Sequence, residues 1–219
     1  MKAEIKERIK AINRGEIPEG YARIQNGIFP KDWDSCCLGD RIKIFRGSSP
    51  RPKGDPKYYG GNIPRLLIED VTRDRKYVTP QIDFLTVEGA KKSRLLPKGS
   101  LVLSCSGTRV AIPGILAVDA CIHDGFFGFS DLQNIDTEYL YYFFELFHNQ
   151  LQTSATMGGV FNNLTTEIMK NLEICIPKIS EQKYIAEILS TWDKAIELKE
   201  KLIEQKKEQK KGLMQRLLT

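Results

Sequence analysis

The last forty residues constrain this chain more than any other stretch. From Ser180 to Thr219 there is no proline, the only glycine is Gly212, and almost every other residue is a good helix former. Ser180 reads as the N-cap of one long helix, with Lys183 where a capping box would carry Glu. Apolar residues follow a 4-3 rhythm at Ile185, Leu189, Trp192 and Ile196, then at Ile203, Leu213 and Leu217, while Lys199, Lys206 and Lys210 take the remaining slots. At 1.5 Å per residue the helix extends about 55 Å. That is too long to lie along one compact domain, and an exposed apolar stripe on it calls for a partner helix. The competing expectation is a helix folded back on its own domain.

Upstream the pattern changes. Ile5, Ile9 and Ile12 recur at helical spacing until Gly15 and Pro18 stop them. Residues 20 to 130 break into short β-type segments at Ile42 to Phe45, Leu66 to Ile68, Phe84 to Val87, Leu101 to Ser104, Val110 to Ile112 and Ile115 to Val118, each flanked by turn residues. This spacing predicts curved, mostly antiparallel sheet rather than regular βαβ units. Asp136 or Thr137 then caps a helix whose run from Tyr139 to Phe147 places aromatics on nearly every face, so it is expected to be buried. A polar stretch from Thr153 to Asn163 leads to a strand at Leu172 to Ile176, ended by Pro177. The expected fold is α+β: a β-rich domain with a buried aromatic helix over residues 1–179, then a long coiled-coil helix over residues 180–219.

Several function classes fall away. No apolar run approaches the roughly 20 residues of a membrane span, and residues 1–10 lack the apolar core of a secretory leader, so a cytoplasmic protein is expected. Five cysteines at irregular positions, Cys36, Cys37, Cys105, Cys121 and Cys175, offer neither a disulfide framework nor zinc spacing. Phosphate-loop, dinucleotide-binding and nucleophile-elbow motifs are missing. His123 and His148 are the only histidines; Glu145-x-x-His148 resembles one half of a di-iron carboxylate motif whose second copy is missing, and adjacent residues of Cys121-Ile122-His123-Asp124 point to opposite faces of a strand, so packing is expected there. The nearest approach to a nuclease is Asp83, Glu88 and Lys91, which would make a small metal-dependent enzyme.

The net charge of +5 is mild, but its distribution is not even. Arg41, Lys43, Arg46, Arg51, Lys53 and Lys57 stand among Gly47, Ser48, Ser49, Tyr58 and Tyr59, with only Asp40 and Asp55 to offset them. Such a loop offers guanidiniums for phosphates or guanine edges, hydroxyls for either, and aromatic faces for stacking. Arg73, Arg75 and Lys76 form a second group, Lys91, Lys92 and Arg94 a third, and Arg109 closes Ser104 to Thr108. A double-stranded DNA-binding face is expected from Arg46, Ser48, Ser49, Arg51, Lys53, Lys57, Tyr58, Tyr59, Lys91, Lys92, Arg94 and Arg109.

Gly27-Ile28-Phe29-Pro30-Lys31-Asp32-Trp33 followed by Leu38-Gly39-Asp40 resembles the entry segment of a target-recognition domain in the DNA-specificity subunits of type I restriction-modification systems. Phe45 to Pro50 and Tyr59 to Pro64 are similar to that family's Gly-Thr-Pro loop and the segment after it, and Ile176 to Leu189 resembles the junction into its spacer helix. Ser49 stands where the family usually has Thr, Arg65 where an aromatic is common, and the Cys36-Cys37 pair is unusual. The resemblance implies a non-catalytic subunit without a cofactor of its own. It also implies two partner subunits: an adenine methyltransferase using S-adenosylmethionine and a restriction subunit using ATP and Mg. Family members usually carry two recognition domains and two spacer helices, so this chain looks like half a subunit. The implied assembly is a homodimer through Ile185, Leu189, Trp192, Ile196, Ile203, Leu213 and Leu217, antiparallel and two-fold, reading an interrupted palindrome. A truncated subunit acting only in assembly or competition through its coiled coil is the alternative.

Overall fold

Turn chemistry partitions the chain before the long helix into short elements. In the computed structural model, which describes residues 3–24, 27–107, 109–156 and 163–218, an exposed helix α1 (Ala3–Asn13) precedes a hairpin of β1 (Tyr21–Ile24) and β2 (Gly27–Pro30). Then come β3 (Asp34–Cys37), α2 (Leu38–Arg41), β4 (Lys43–Arg46), β5 (Tyr59–Leu66), α3 (Ile68–Asp74), β6 (Tyr77–Val78), β7 (Asp83–Leu85), α4 (Val87–Lys91) and β8 (Arg94–Leu96). The domain closes with β9 (Leu101–Ser104), β10 (Pro113–Leu116), β11 (Ala120–Ile122), β12 (Phe126–Ser130), α5 (Thr137–Thr156), α6 (Thr166–Lys170), β13 (Glu173–Ile176) and α7 (Ile179–Leu218).

Two sheets stack beneath α5. One has the order β4-β12-β9-β10-β6 and the other β7-β5-β11-β8, while β13 pairs with β3 at the side. Period-2 alternation decides which residue goes where. Leu101, Leu103, Phe127 and Phe129 turn toward α5 and meet Leu140, Phe143, Phe144 and Phe147. Val102 and Phe126 turn the other way and meet Leu66, Leu96 and Ile122 of the four-stranded sheet. Both faces of β9 and β12 are thus buried, so neither strand shows the polar alternation of a half-exposed sheet.

The mostly antiparallel expectation holds, with parallel pairings of β5 to β11 and of β6 to β10 added. Local chemistry moves several boundaries. Leu66 ends its strand and Ile68 opens α3, whose first turn is closed by the Leu67 N–H donating to Asp70 Oδ2 at 3.1 Å. Leu85 ends β7 because the Thr86 hydroxyl caps α4, accepting from the Gly89 N–H at 3.0 Å. Val110 to Ile112 is a turn rather than a strand: Ala111 has φ +62°, its N–H donates to the Ser104 carbonyl at 2.8 Å, and the Ser104 side chain bonds on both sides of it.

Asp136 caps α5, accepting from the N–H groups of Glu138 and Tyr139 at 3.0 and 3.1 Å. The helix continues to Thr156, past the polar stretch expected to end it, because the Thr153 and Ser154 hydroxyls bond back to the carbonyls of Asn149 and Gln150 instead of breaking the turn. Residues 157–162 of that stretch lie outside the described residues.

The C-terminal helix α7 spans 40 residues, about 60 Å. It begins at Ile179, so Ser180 sits in its first turn and the Lys178 carbonyl accepts from Gln182. Gln182 is fully buried and ties the helix root to the domain, accepting from the Asp136 N–H at 2.7 Å and donating to the carbonyls of Asn134 and Pro177 at 2.8 and 2.9 Å. Gln182, Ala186 and Asp193 face the domain. The apolar seam lies roughly a quarter turn away around the helix. It stays open, with Trp192 66 %, Ile203 53 % and Leu217 81 % exposed. Among the described residues no helix is long and apolar enough to cross a membrane. Cys36, Cys37, Cys105, Cys121 and Cys175 are all free thiols.

Candidate nucleic-acid interface

The basic loop leaves β4 at Gly47 and is clamped to the turn between β11 and β12. The Gly47 N–H donates to the Phe126 carbonyl at 2.9 Å and the Ser48 N–H to the Ile122 carbonyl at 3.1 Å. A Cβ at Gly47 would stand 2.2 Å from the His123 carbonyl oxygen, so only glycine allows this approach.

Several side chains expected at the DNA face prove to be fasteners. The Ser48 hydroxyl donates to the Lys92 carbonyl at 3.1 Å, and the Ser93 hydroxyl donates back to the Ser48 carbonyl at 2.8 Å. Ser49 donates to Asp124 Oδ1 at 2.7 Å and accepts from Arg65 at 3.2 Å. Arg65 is buried, pairs with Asp83 and lies 5.6 Å from the centre of the Tyr59 ring, while the Tyr59 hydroxyl donates to the Pro50 carbonyl at 3.0 Å. Arg46 bonds Asn163 and the Leu164 carbonyl and lies over Phe127. The buried Nε atoms of Arg46 and Arg65 have no hydrogen-bond partner among the described residues.

Beyond the clamp the loop closes on itself. Asp55 accepts at its carbonyl from the N–H groups of Tyr58 and Tyr59 and at its carboxylate from Lys57, and the Thr86 hydroxyl donates to the Lys57 carbonyl at 2.7 Å. Tyr58 is buried between two cations, with Lys57 Nζ 5.7 Å and Lys92 Nζ 5.9 Å from its ring centre. The loop and the Lys91–Arg94 segment therefore form one face, along which Arg51, Lys53, Lys57, Lys91, Lys92 and Arg94 are exposed. Lys91 pairs with Glu88 at 2.8 Å, and Arg94 lies over Phe45. Arg109, also exposed, sits on a separate turn. That turn is joined to Arg46 through the Ser106–Asn163 bridge and to α5 through His148, whose Nδ1 is 2.7 Å from the Ala111 carbonyl.

The second basic group is used up internally: Arg73 pairs with Asp70 and Asp74, Arg75 with Glu200, and Lys76 with Glu138. Burial and then the nearby Arg65 charge hold His123 below its ordinary value, so it is neutral at pH 7, and its Nδ1 accepts from the Gly125 N–H at 2.9 Å. Hydrogen bonding from Ser49 holds the Asp124 carboxyl below the usual range against the opposing effect of burial. Burial pushes the Cys105 thiol up to about 11, well away from a reactive thiolate. The carboxylates of the nuclease alternative do not converge: Asp83 is taken by Arg65 and Glu88 by Lys91. Among the described residues no group of His, Cys, Asp or Glu could hold a metal ion.

The chain thus joins a β-rich domain, with a braced cationic loop and a crowded aromatic helix, to one protruding C-terminal helix. The family model described as the type I restriction modification DNA specificity domain matches residues 30–207, and the chain belongs to that family, whose members are non-catalytic specificity subunits. It is 30% identical over 179 residues to the MjaIX specificity subunit of Methanocaldococcus jannaschii, covering 80% of this chain and 41% of that one. Against the MjaVIII specificity subunit of the same organism it is 28% identical over 202 residues, covering 92% and 45%. Among solved structures, the HsdS subunit from Thermoanaerobacter tengcongensis superposes with a TM-score of 0.61 at 18% identity, covering 88% of this chain and 47% of that one. The S subunit from M. genitalium gives 0.53 at 13% identity, covering 76% and 40%. The chain thus spans about half the length of the curated relatives it matches.

Proposed function

We propose that this chain reads duplex DNA for a type I restriction-modification complex, with residues 1–179 as the recognition domain and residues 180–219 as the spacer. The observation that carries the reading is the single cationic face of the pinned loop and the Lys91–Arg94 segment. Arg51, Lys53, Lys57, Lys91, Lys92 and Arg94 neutralise phosphates there, Arg109 does so from its separate turn, and Tyr58 supports the cations that flank it. Arg46, Ser48, Ser49 and Tyr59 hold the loop in the shape that reads base edges.

The open seam of α7 is the dimer interface in this reading, formed by Ile185, Leu189, Trp192, Ile196, Ile203, Leu213 and Leu217 of two antiparallel copies. Two-fold symmetry then inverts the recognition domains and yields an interrupted palindrome. A helix of about 60 Å against 34 to 36 Å per DNA turn places the half-sites one to two turns apart. The partners are a methylating subunit that brings S-adenosylmethionine and a restriction subunit that brings ATP and Mg, all working in the cytoplasm.

Selection from a random duplex pool at several salt concentrations tests this. Enrichment of one bipartite inverted sequence, bound more weakly as salt rises, is the expected result. Binding without sequence preference refutes it. Light scattering tests the dimer, whose expected mass is twice 25.0 kDa.

A further inference from the structure

The corner between α3 and β6 carries cations that the DNA face does not use. Lys76 is 9% exposed, and its Nζ lies 2.8 Å from Glu138 Oε2, 3.1 Å from the Tyr142 hydroxyl and 3.5 Å from Ser190 Oγ of α7. It is boxed by aromatic faces, 4.5 Å from the Tyr142 ring centre and 5.2 Å from that of Tyr77. Tyr142 donates onward to Asp193 of α7, and Tyr77 donates to Glu138. One residue earlier, Arg75 reaches across to Glu200 of α7 at 3.1 Å.

We infer that Lys76 and Arg75 are positioning residues for recognition: they lock the direction in which α7 leaves the globular domain, and with it the separation of the two half-sites. The inference rests on the DNA-reading function proposed above. Gln182 alone would leave the helix root a pivot. Ser190 and Asp193 add a second anchor and Glu200 a third, so the anchors extend over about 27 Å of helix. Between this corner, α5 and α7 lies an open groove of about 820 Å³. Apolar packing is non-directional and is interrupted here, so the charged, directional hydrogen bonds set the angle.

Two further observations fit a lock. Arg75 has φ +64°, a value that disfavours any residue with a Cβ, at the C-terminal cap of α3, where its N–H donates to the Val71 carbonyl and its side chain is aimed at Glu200. Burial would raise the Glu138 carboxyl, but Lys76 and Tyr77 outweigh it and hold it below its ordinary value, while burial and Glu138 push Tyr77 up to about 12. Glu138 therefore stays ionised and Tyr77 stays protonated through the neutral range.

A domain of this size has a radius of gyration of about 16 Å, which puts the reading loops on the order of 20 Å from the lock. A tilt of about 10° then moves them about 3.5 Å, close to one base-pair rise. The same tilt about Gln182 moves residue 211, about 43 Å along the helix, by about 7.5 Å.

The test attaches genetically encoded spin labels at Lys98 and Lys211 of the full chain and measures their distance distribution in the unaltered protein, in Lys76→Met and in Arg75→Ala/Glu200→Ala. The last variant removes an exposed pair and leaves the core intact. Each variant is then put through the bipartite-site selection. The expected result is a distribution broadened by several ångströms in both variants, with the preferred spacer widening from one length to neighbours one base pair longer and shorter. An unchanged distance distribution overturns the lock. A broadened distribution with an unchanged spacer preference overturns its role in recognition. If the unaltered protein selects no sequence, the DNA-reading function fails, and the lock is judged on the label distances alone.

Discussion

Replacing Arg65 with Met removes the keystone beneath the basic loop while keeping most of the side chain's volume. The Arg65 side chain is 8% exposed and its partner Asp83 25%. Breaking a fully buried ion pair costs about 3–5 kcal/mol. Water reaches part of the Asp83 carboxylate, which brings the expected loss to about 2–3 kcal/mol. At about 2–4 °C per kcal/mol for a chain of this size, Tm falls by about 4–12 °C. Urea denaturation followed by circular dichroism gives the free-energy difference, and a thermal scan gives Tm. The double variant Arg65→Met/Asp83→Leu replaces both charges with apolar groups and regains most of the loss, because the stranded carboxylate is gone. A single variant within about 0.5 kcal/mol of the parent, below the cost of even one stranded buried group, refutes the keystone argument. So does a double variant no more stable than the single one.

Four further outcomes follow from the same structure. Acidification destabilises the fold through His123: its folded-state pKa is depressed below 6.5, so the unfolded chain takes up the proton first, and stability is lost as pH falls from 6.5 through the folded value. His123→Gln flattens that part of a stability-versus-pH curve. Lys57→Ala and Lys92→Ala each lower the slope of log K against log salt by about 0.9 if they neutralise one phosphate, which anisotropy titrations at five salt concentrations resolve. Gly47→Ala forces a Cβ toward the His123 carbonyl and destabilises by about 1–3 kcal/mol in urea unfolding, with loss of sequence-specific binding. Trp192→Glu with Ile203→Glu places charges on the open seam; light scattering shows a monomer while the thermal transition stays in place, and a persistent dimer rules out that seam as the interface.

Local chemistry made much of this molecule legible from its residues. The helix-forming run after Ser180 has no competing conformation, the Asp136 cap and the aromatic run after it define α5, and the apolar run from Leu101 to Ser104 reads as the strand β9, whereas β12, with Gly128 inside it, is a strand that only the structure shows. Turn boundaries were less legible, because Ala111 holds a positive φ through bonds to Ser104, seven residues back in the chain.

The sequence by itself determined the α+β class, the long helix with its apolar seam, and the concentration of cations between Arg46 and Lys57. Only the tertiary structure decided what each cation does. Arg73, Arg75 and Lys76 resemble a surface cluster until their carboxylate partners arrive from Asp70, Glu138 and Glu200. Arg65 becomes a keystone only when β5 and β7 pair and bring Asp83 to it, and Gln182 becomes an anchor only when α7 reaches the β12–α5 connection. The physical reason is the range of the interactions. Helix propensity and capping act within a few residues. Whether a charge is paired or free depends on what lies within a few ångströms in space, and for Lys76 and Ser190 those neighbours are 114 residues apart in the chain.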